Sequence, residues 1–289
     1  MQIIKIGTDS TADIPKQICE ELNITVLPLS LFYNGKEYIE GIDITPQEYY
    51  DILENCENIP TSSQVPSHLY TEFYTKTFEE GYTDLIQVSL NSKGSGTYQA
   101  AVLAKDLFYE ENPEAKGKFN IHNIDSETYS MIYGYPVVEA AKMVKSGVDA
   151  ETIILSVKDK IKKLRGIFVP LNLRFVKKSG RISAAAAFVG DALGLKPVIT
   201  FENGEAKIIS KIRGKKQVIK ELITICKEER RANSPYMLIK GNNEEQYTDL
   251  RACCMKELEC EPEIEYSVGC IIATNTGPNM IGIIFEREK

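Results

Sequence analysis

The chain is predicted to be an α/β protein of two domains. The first is an N-terminal three-layer α/β/α domain with a parallel sheet, and the second a C-terminal α/β domain with a mixed or antiparallel sheet. Three observations predict this. At 289 residues the chain exceeds what one hydrophobic core usually serves. Its first part alternates short apolar runs with helix-length amphipathic stretches. After about Arg165 the texture changes to short apolar runs separated by turn signals such as Glu202-Asn203-Gly204.

Taken in order, Ile3–Gly7 reads as a short buried strand running into the polar turn Thr8-Asp9-Ser10-Thr11 and a helix start near Pro15. A helix over Lys16–Leu22, a strand over Ile24–Phe32, a helix around His68–Glu80 and a strand over Thr83–Leu90 follow. Another strand runs from Phe119 to Asp125, and helices are expected over Tyr133–Lys145 and Ala150–Lys163. That alternation predicts a parallel sheet whose carboxyl-edge loops form a ligand crevice. Further on, strands are expected at Ile167–Leu173, Pro197–Phe201, Ala206–Ile212, Tyr236–Lys240, Glu263–Val268 and Ile281–Arg287, with helices near Lys215–Arg230 and Glu244–Leu258. The boundary falls near residue 163, giving domains 1–163 and 164–289.

Composition narrows the function. Hydrophobic content of 43% and charged content of 26% fit a folded globular chain, and no run of eighteen apolar residues suggests insertion into a membrane. The start Met1-Gln2-Ile3-Ile4-Lys5-Ile6 is too short and strand-like for a signal peptide, so a cytoplasmic protein is expected. A formal net charge of −7 disfavours nucleic acid as a partner. The seven cysteines, Cys19, Cys56, Cys226, Cys253, Cys254, Cys260 and Cys270, form no C-x-x-C and read as reduced thiols. Phosphate-loop, dinucleotide, zincin and EF-hand signatures are missing, so no cofactor or metal is expected. Asp9, Asp13 and Asp125 are spaced unlike a metal loop; capping is their commoner use.

Three hydroxyl-rich turns carry the chemistry: Thr8-Asp9-Ser10-Thr11, Pro60-Thr61-Ser62-Ser63-Gln64, and Ser92-Lys93-Gly94-Ser95-Gly96-Thr97-Tyr98. If they converge they form an anion cradle. In the third, glycines flank Ser95 and a helix opens at about Thr97, so backbone N–H groups and the helix dipole suit a carboxylate or phosphate. Ordinary helix capping explains the same residues, and both readings stand. A serine hydrolase or acyltransferase using Ser95 is the rival. Lys93 occupies the place of the first glycine in a nucleophile elbow, and His68 and His122 have no evident orienting carboxylate in sequence.

Lys177, Lys178 and Arg181 make a basic turn on an acidic protein, suited to a phosphate-bearing or acidic partner or simply to solvent. The small residues Ala184–Gly190 allow close packing or leave room for an apolar tail. Gly269–Gly282 reads as strand, special loop and strand, with Gly277 and Pro278 fixing the loop.

Together these segments resemble the DegV family of bacterial fatty-acid-binding proteins. The resemblance rests on Thr8-Asp9-Ser10, Ser95-Gly96-Thr97-Tyr98-Gln99, Lys177-Lys178-Ser179-Gly180-Arg181-Ile182 and Thr276-Gly277-Pro278 in that order, from Thr8 to Gly282. It implies a non-enzymatic lipid carrier with a palmitate- or stearate-like long-chain fatty acid in an interior tunnel and its carboxylate at the domain junction. It also implies presentation of the acid to a separate fatty acid kinase, which supplies ATP and makes the acyl phosphate. By position, Ser95 and Gly96 bind the carboxylate, and the family's Thr-Ser-Gln turn falls on Ser62-Ser63-Gln64, with Thr61 able to substitute in register. Asn275 and Thr276 join them, and Arg181 lies beside the head group and partner surface. Two departures stand out: Asn275-Thr276-Gly277-Pro278-Asn279 where the family usually reads His-x-Gly-Pro-Gly, and Ser179-Gly180 for a double glycine. Unlike histidine, Asn275 cannot change charge near neutral pH.

Overall fold

Strand β1 (Ile4–Asp9) is buried along its whole length, as a parallel strand covered on both faces must be. In the computed structural model, which describes residues 2–181 and 194–288, the chain divides into two units. The first takes residues up to Ser30 together with Ser63–Lys162; the second takes Leu31–Ser62 together with residues from Lys163 onward.

The first unit contains β1, α1 (Lys16–Leu22), β2 (Ile24–Leu27), α3 (Ser67–Glu79), β6 (Asp84–Ser89), α4 (Thr97–Glu111), β7 (Asn120–Asp125), α5 (Met131–Lys145) and α6 (Ala150–Lys163). Strands 2, 1, 6 and 7 lie side by side in that order, all parallel. Alternation decides what each face of the sheet meets. Ile4, Ile6, Ile86, Val88 and Ile124 pack with Tyr133, Val137, Ile153 and Val157 from α5 and α6. Gly7 faces the other way, where Phe73 of α3 and Gln87 fill the space a side chain would need. On that side Tyr70, Phe73, Tyr74 and Phe108 form a chain of ring contacts between α3 and α4. Each fully buried aromatic contributes roughly 1.5–3 kcal/mol of transfer free energy, which holds the three layers together.

The second unit is built on a six-stranded sheet in the order β10-β9-β8-β13-β11-β12. Its strands are β8 (Leu164–Pro170), β9 (Leu195–Glu202), β10 (Glu205–Arg213), β11 (Tyr236–Lys240), β12 (Ile264–Ser267) and β13 (Met280–Glu286). Only the β11–β12 pair is parallel; the other pairs are antiparallel, so the sheet is mixed. Helices α8 (Lys215–Glu229) and α9 (Glu244–Leu258) cover one face through Val218, Leu222, Tyr247 and Leu250.

Several elements differ from expectation. Pro28, which has no N–H to donate, follows β2, and the single strand expected over Ile24–Phe32 is two: β2, and β3 (Ser30–Tyr33) in a separate three-stranded sheet of order β4-β3-β5. There β4 is Lys36–Ile39 and β5 is Thr61–Ser63, so the predicted hydroxyl turn is partly a strand. Between them α2 (Pro46–Asn55) opens on a reciprocal capping box, with Thr45 and Glu48 bonding each other's backbone N–H. The strand expected to run to Leu173 ends at Pro170, and α7 (Leu173–Ser179) follows, capped by Asn172. Lys177 and Lys178 therefore lie on a helix rather than a turn.

The strand expected after Gly269 is instead a short helix, α10 (Cys270–Thr276). Its polar side chains bond backwards: Thr274 Oγ1, Asn275 Nδ2 and Thr276 Oγ1 donate to the carbonyls four residues earlier, at 2.8, 2.8 and 3.0 Å. The single domain cut at residue 163 also needs correction, because Leu31–Ser62 belongs with the second unit. The reason is a set of buried polar bonds. Tyr49 Oη lies 2.7 Å from Thr274 Oγ1, Tyr50 Oη donates to the Val268 carbonyl, and Glu40 Oε1 accepts the Ile271 N–H at 3.0 Å. The small-residue segment Ala184–Gly190, and Ile182 before it, lie outside the described residues.

Candidate functional site

Residues 90–97 connect β6 to α4 at the carboxyl edge of the parallel sheet, where the switch-point rule places ligands. The segment is fixed by backbone bonds. Leu90 N donates to Asp9 Oδ2 at 2.9 Å, Ser92 N to Asp125 Oδ1 at 3.1 Å, and Gly94 N and Ser95 N to the Asn91 carbonyl at 3.0 and 3.2 Å. Asp9 and Asp125, two of the three carboxylates considered for a cation, are thus committed to holding backbone. Among the described residues no group of three His, Cys, Asp or Glu side chains is arranged to hold a metal ion.

Asp9 is completely buried and also accepts from Thr11 N at 3.1 Å, from Thr11 Oγ1, and from Tyr133 Oη at 2.7 Å. Burial pushes its carboxyl above the ordinary carboxylate range, against these donors, each of which favours the ionised form. Burial likewise drives the Tyr133 phenol well above its usual value, with Asp9 beside it adding to the effect. The first hydroxyl turn therefore serves the frame of the site: Thr8 Oγ1 is buried and donates to the Val88 carbonyl at 2.9 Å.

Ser95 itself is half-buried. Its Oγ accepts the Thr97 N–H at 3.2 Å and lies 2.9 Å from Thr97 Oγ1, which in turn accepts the Val65 N–H at 3.4 Å. With Thr97 donating, the order Val65 N–H to Thr97 O–H to Ser95 leaves the Ser95 proton to be given to an anion, polarised by the bonds behind it. Gly96 lies close to the Gln64 side chain: a Cβ there would lie 1.9 Å from Gln64 Oε1, which an exposed glutamine can relieve by moving. The second and third hydroxyl turns thus meet through Gln64 and Val65, a contact that side-chain size at Gly96 permits and that spacing alone does not reveal.

The remaining candidates divide between the units. Ser63 falls in the first, whereas Thr61, Ser62, Arg181, Asn275 and Thr276 fall in the second. Thr61 and Ser63 are exposed on β5, and Ser62 is half-buried. Asn275 and Thr276 close α10 rather than forming a loop, and the Thr276 hydroxyl is given to backbone carbonyls at 3.0 and 3.2 Å. Gly277 follows with φ 89°, a value that favours glycine, and a Cβ there would lie 2.9 Å from the Phe175 ring. Arg181 is exposed, and its guanidinium donates to the Ser179 carbonyl at 2.7 Å.

A surface cleft of about 360 Å³ in the second unit is lined by Glu57, Ile59, Arg174, Lys177 and Lys178. The three cations recur at i, i+3 and i+4 along α7, which puts them on one face. Arg174 donates to the Glu57 carbonyl and Lys178 to the Ile59 carbonyl at 3.5 Å; neutral acceptors of this kind hold the side chains without cancelling their charge.

The rival hydrolase chemistry finds little support. Neither partner of Ser95 Oγ is a base. His122 does have a carboxylate, Asp84 Oδ1 at 3.2 Å, which sequence reading missed because the two are 38 residues apart. Asp84 opens β6, however, while the Ser95 segment follows its last residue, so the rest of the strand, about 17 Å long, lies between them. His68 is exposed near the start of α3.

Comparison with known proteins places these features in context. A family model described as the DegV family matches residues 3–288. A DegV domain-containing protein of Caldanaerobacter subterraneus is 34% identical over 290 residues, spanning 100% of both chains. One from Clostridium perfringens is 32% identical over 288 residues, 99% of each. Among solved structures, a fatty-acid-binding DegV family protein of Thermus thermophilus matches with TM-score 0.88 and 26% identity, covering 99% of this chain and 100% of that one. A stearic-acid-binding protein of Eubacterium ventriosum matches with TM-score 0.89 and 25% identity over 99% of each. A fatty-acid-binding DegV of Bacillus subtilis matches with TM-score 0.84 and 26% identity over 100% of each.

Proposed function

Since the chain belongs to the DegV family, we propose that it binds a long-chain fatty acid, with Ser95 donating to the carboxylate and the aliphatic tail enclosed by protein. The observation that carries this reading is the likeness, over nearly the whole chain, to proteins solved as fatty-acid binders. The polarised Ser95 hydroxyl in its glycine-flanked turn supports it locally. Enclosing roughly fourteen methylenes at about 0.8 kcal/mol each gives on the order of 11 kcal/mol gross. One charge-assisted hydrogen bond adds only about 1.5–3 kcal/mol, so the tail sets affinity and the head sets orientation. Thr61, Ser62, Ser63, Gly96, Asn275 and Thr276 complete the proposed head-group set. Among the described residues no helix is long and apolar enough to cross a membrane.

The bound acid would then be presented to a separate kinase, which brings the ATP. Arg181 and the cationic face of α7, with Arg174, Lys177 and Lys178, offer the docking charge for such a partner on a protein of net charge −7. Asn275 stays neutral across the physiological range, so any proton movement at the head group must be served from elsewhere.

Mass spectrometry of lipid extracted from protein made in a bacterial host tests the binding step. About one aliphatic acid per chain is expected; a delipidated sample that fails to take up stearate would sink it. In Ser95→Ala, affinity for stearate should fall about tenfold while co-purified acid remains near one per chain. A folded Ser95→Ala protein devoid of lipid would contradict the division of labour between tail and head.

A further inference from the structure

The segment from Ser126 to Ser130 follows β7 and lies against the Ser95 turn. Asn91 N donates to the Thr128 carbonyl at 3.0 Å, and Ser126 N to the Ser89 carbonyl at 3.0 Å. Two of its residues occupy the left-handed region without being glycine: Glu127 at φ 52° and Ser130 at φ 57° with ψ −153°. Such a backbone persists only where surrounding bonds over-determine it, and functional sites are where it concentrates. The bonds are present here: Glu127 N donates to Asp125 Oδ1 at 3.0 Å, Thr128 N to Ser126 Oγ at 3.3 Å, and Ser130 Oγ to Asp13 Oδ2.

What this strained stretch delivers is Tyr129. Its ring packs partly buried against the core cluster beneath α5, and its hydroxyl accepts from Asn91 Nδ2 at 3.0 Å. The same hydroxyl occupies the space above Gly94 so fully that a Cβ built there would lie 2.0 Å from it. Asn91 Oδ1 also accepts the Lys93 N–H at 3.1 Å, and the Asn91 carbonyl accepts Gly94 N–H and Ser95 N–H. Asn91 is therefore the hub of the turn, with Tyr129 bonded to its side-chain amide and seated on the residue preceding Ser95.

We propose that Tyr129 is a positioning residue for the head-group site, its hydroxyl wedged over Gly94 and bonded to Asn91 so that the turn presents the Ser95 proton to a carboxylate. The inference rests on the Ser95 turn being the head-group site. It assigns to a phenol from a separate loop the orientation of that turn, and it explains why glycine stands at position 94 although its backbone does not have positive φ.

Tyr129→Phe keeps the ring and removes the hydroxyl. Binding of stearate and of octadecanol, which shares the tail but lacks the carboxylate, is measured alongside thermal unfolding. The expected result is a loss of about tenfold for stearate, little change for octadecanol, and a melting temperature held within about 2 °C. Equal loss for both ligands, or no loss for stearate, overturns the proposal. Should Tyr129→Phe not fold, Gly94→Ala and Tyr129→Ala are made singly and together. The pair should fold better than Gly94→Ala alone, since the new methyl takes the vacated space, yet bind stearate more weakly than wild type. Wild-type affinity in the folded pair would again overturn the assignment. If the wild type itself takes up no stearate, it is the head-group reading that fails.

Discussion

Asp9→Ala is expected to destabilise the first unit by about 4 kcal/mol, lowering its melting temperature by on the order of 10 °C in a thermal scan. The size follows from the donors left behind. Leu90 N, Thr11 N, Thr11 Oγ1 and Tyr133 Oη all point at this one carboxylate, in a place without access to solvent. Each buried donor stripped of its acceptor costs roughly 1–3 kcal/mol, partly recovered by relaxation. Asp9→Asn should fall between, because one oxygen still accepts while the new amide faces existing donors. Leu90 N belongs to the segment leading to Ser95, so the alanine variant should also loosen that turn and weaken stearate binding. A variant as stable as wild type would show that the donors find other acceptors.

The second large effect is expected at Gly241. A methyl added there would lie 2.1 Å from the Pro278 carbonyl oxygen and 2.8 Å from Met280 N, both of them backbone. No side chain can swing aside, because Gly241 N donates to the Met280 carbonyl at 2.9 Å and Asn242 N to the Pro278 carbonyl at 2.8 Å. Gly241→Ala must therefore shift the chain between α10 and β13, at a cost of about 3 kcal/mol. Asn279, where the family motif usually has glycine, donates to Glu54 Oε1 at 3.0 Å, and Asn242 donates to the same oxygen at 2.8 Å. Denaturant unfolding of Gly241→Ala beside Gly81→Ala separates this clash from backbone conformation, since Gly81 has positive φ with nothing within 4 Å of an added methyl. A smaller loss at Gly241 than at Gly81 would refute the steric account.

Much of the architecture was legible in the sequence because the first unit follows local rules. Buried apolar runs at Ile4–Asp9 and Asp84–Ser89 have the length and texture of parallel strands, and the amphipathic stretches between them the length of helices. Local rules misled at α10, where Ile271, Ile272 and Thr274 favour a strand by propensity but are held helical by back-bonded hydroxyls and by Glu40 at the first turn. The Leu31–Ser62 excursion could not be assigned to its unit at all, because the partners of Tyr49 and Tyr50 are distant in sequence.

For the site, glycine-flanked Ser95 and the opening of α4 at Thr97 were readable. The role of Asn91 and the phenol above Gly94 were not, since no spacing rule connects Tyr129 to a turn 35 residues earlier. Arg174 escaped notice for a related reason. The expected strand ends at Leu173 with a basic turn beyond it, and only the helical α7 brings Arg174 onto one face with Lys177 and Lys178.

The hydrogen bond between Tyr49 and Thr274 spans 225 positions. On a ribosome, the excursion emerges early and must wait, its two phenols without their acceptors, until Val268 and Thr274 have been translated. Non-local closure of this kind slows folding and prolongs the exposure of aggregation-prone surface. Truncating the message before Val268 would strand a nascent polypeptide whose early aromatic segment has no lodging, which makes the stretch from Val268 to Thr274 a completion signal for the Leu31–Ser62 excursion.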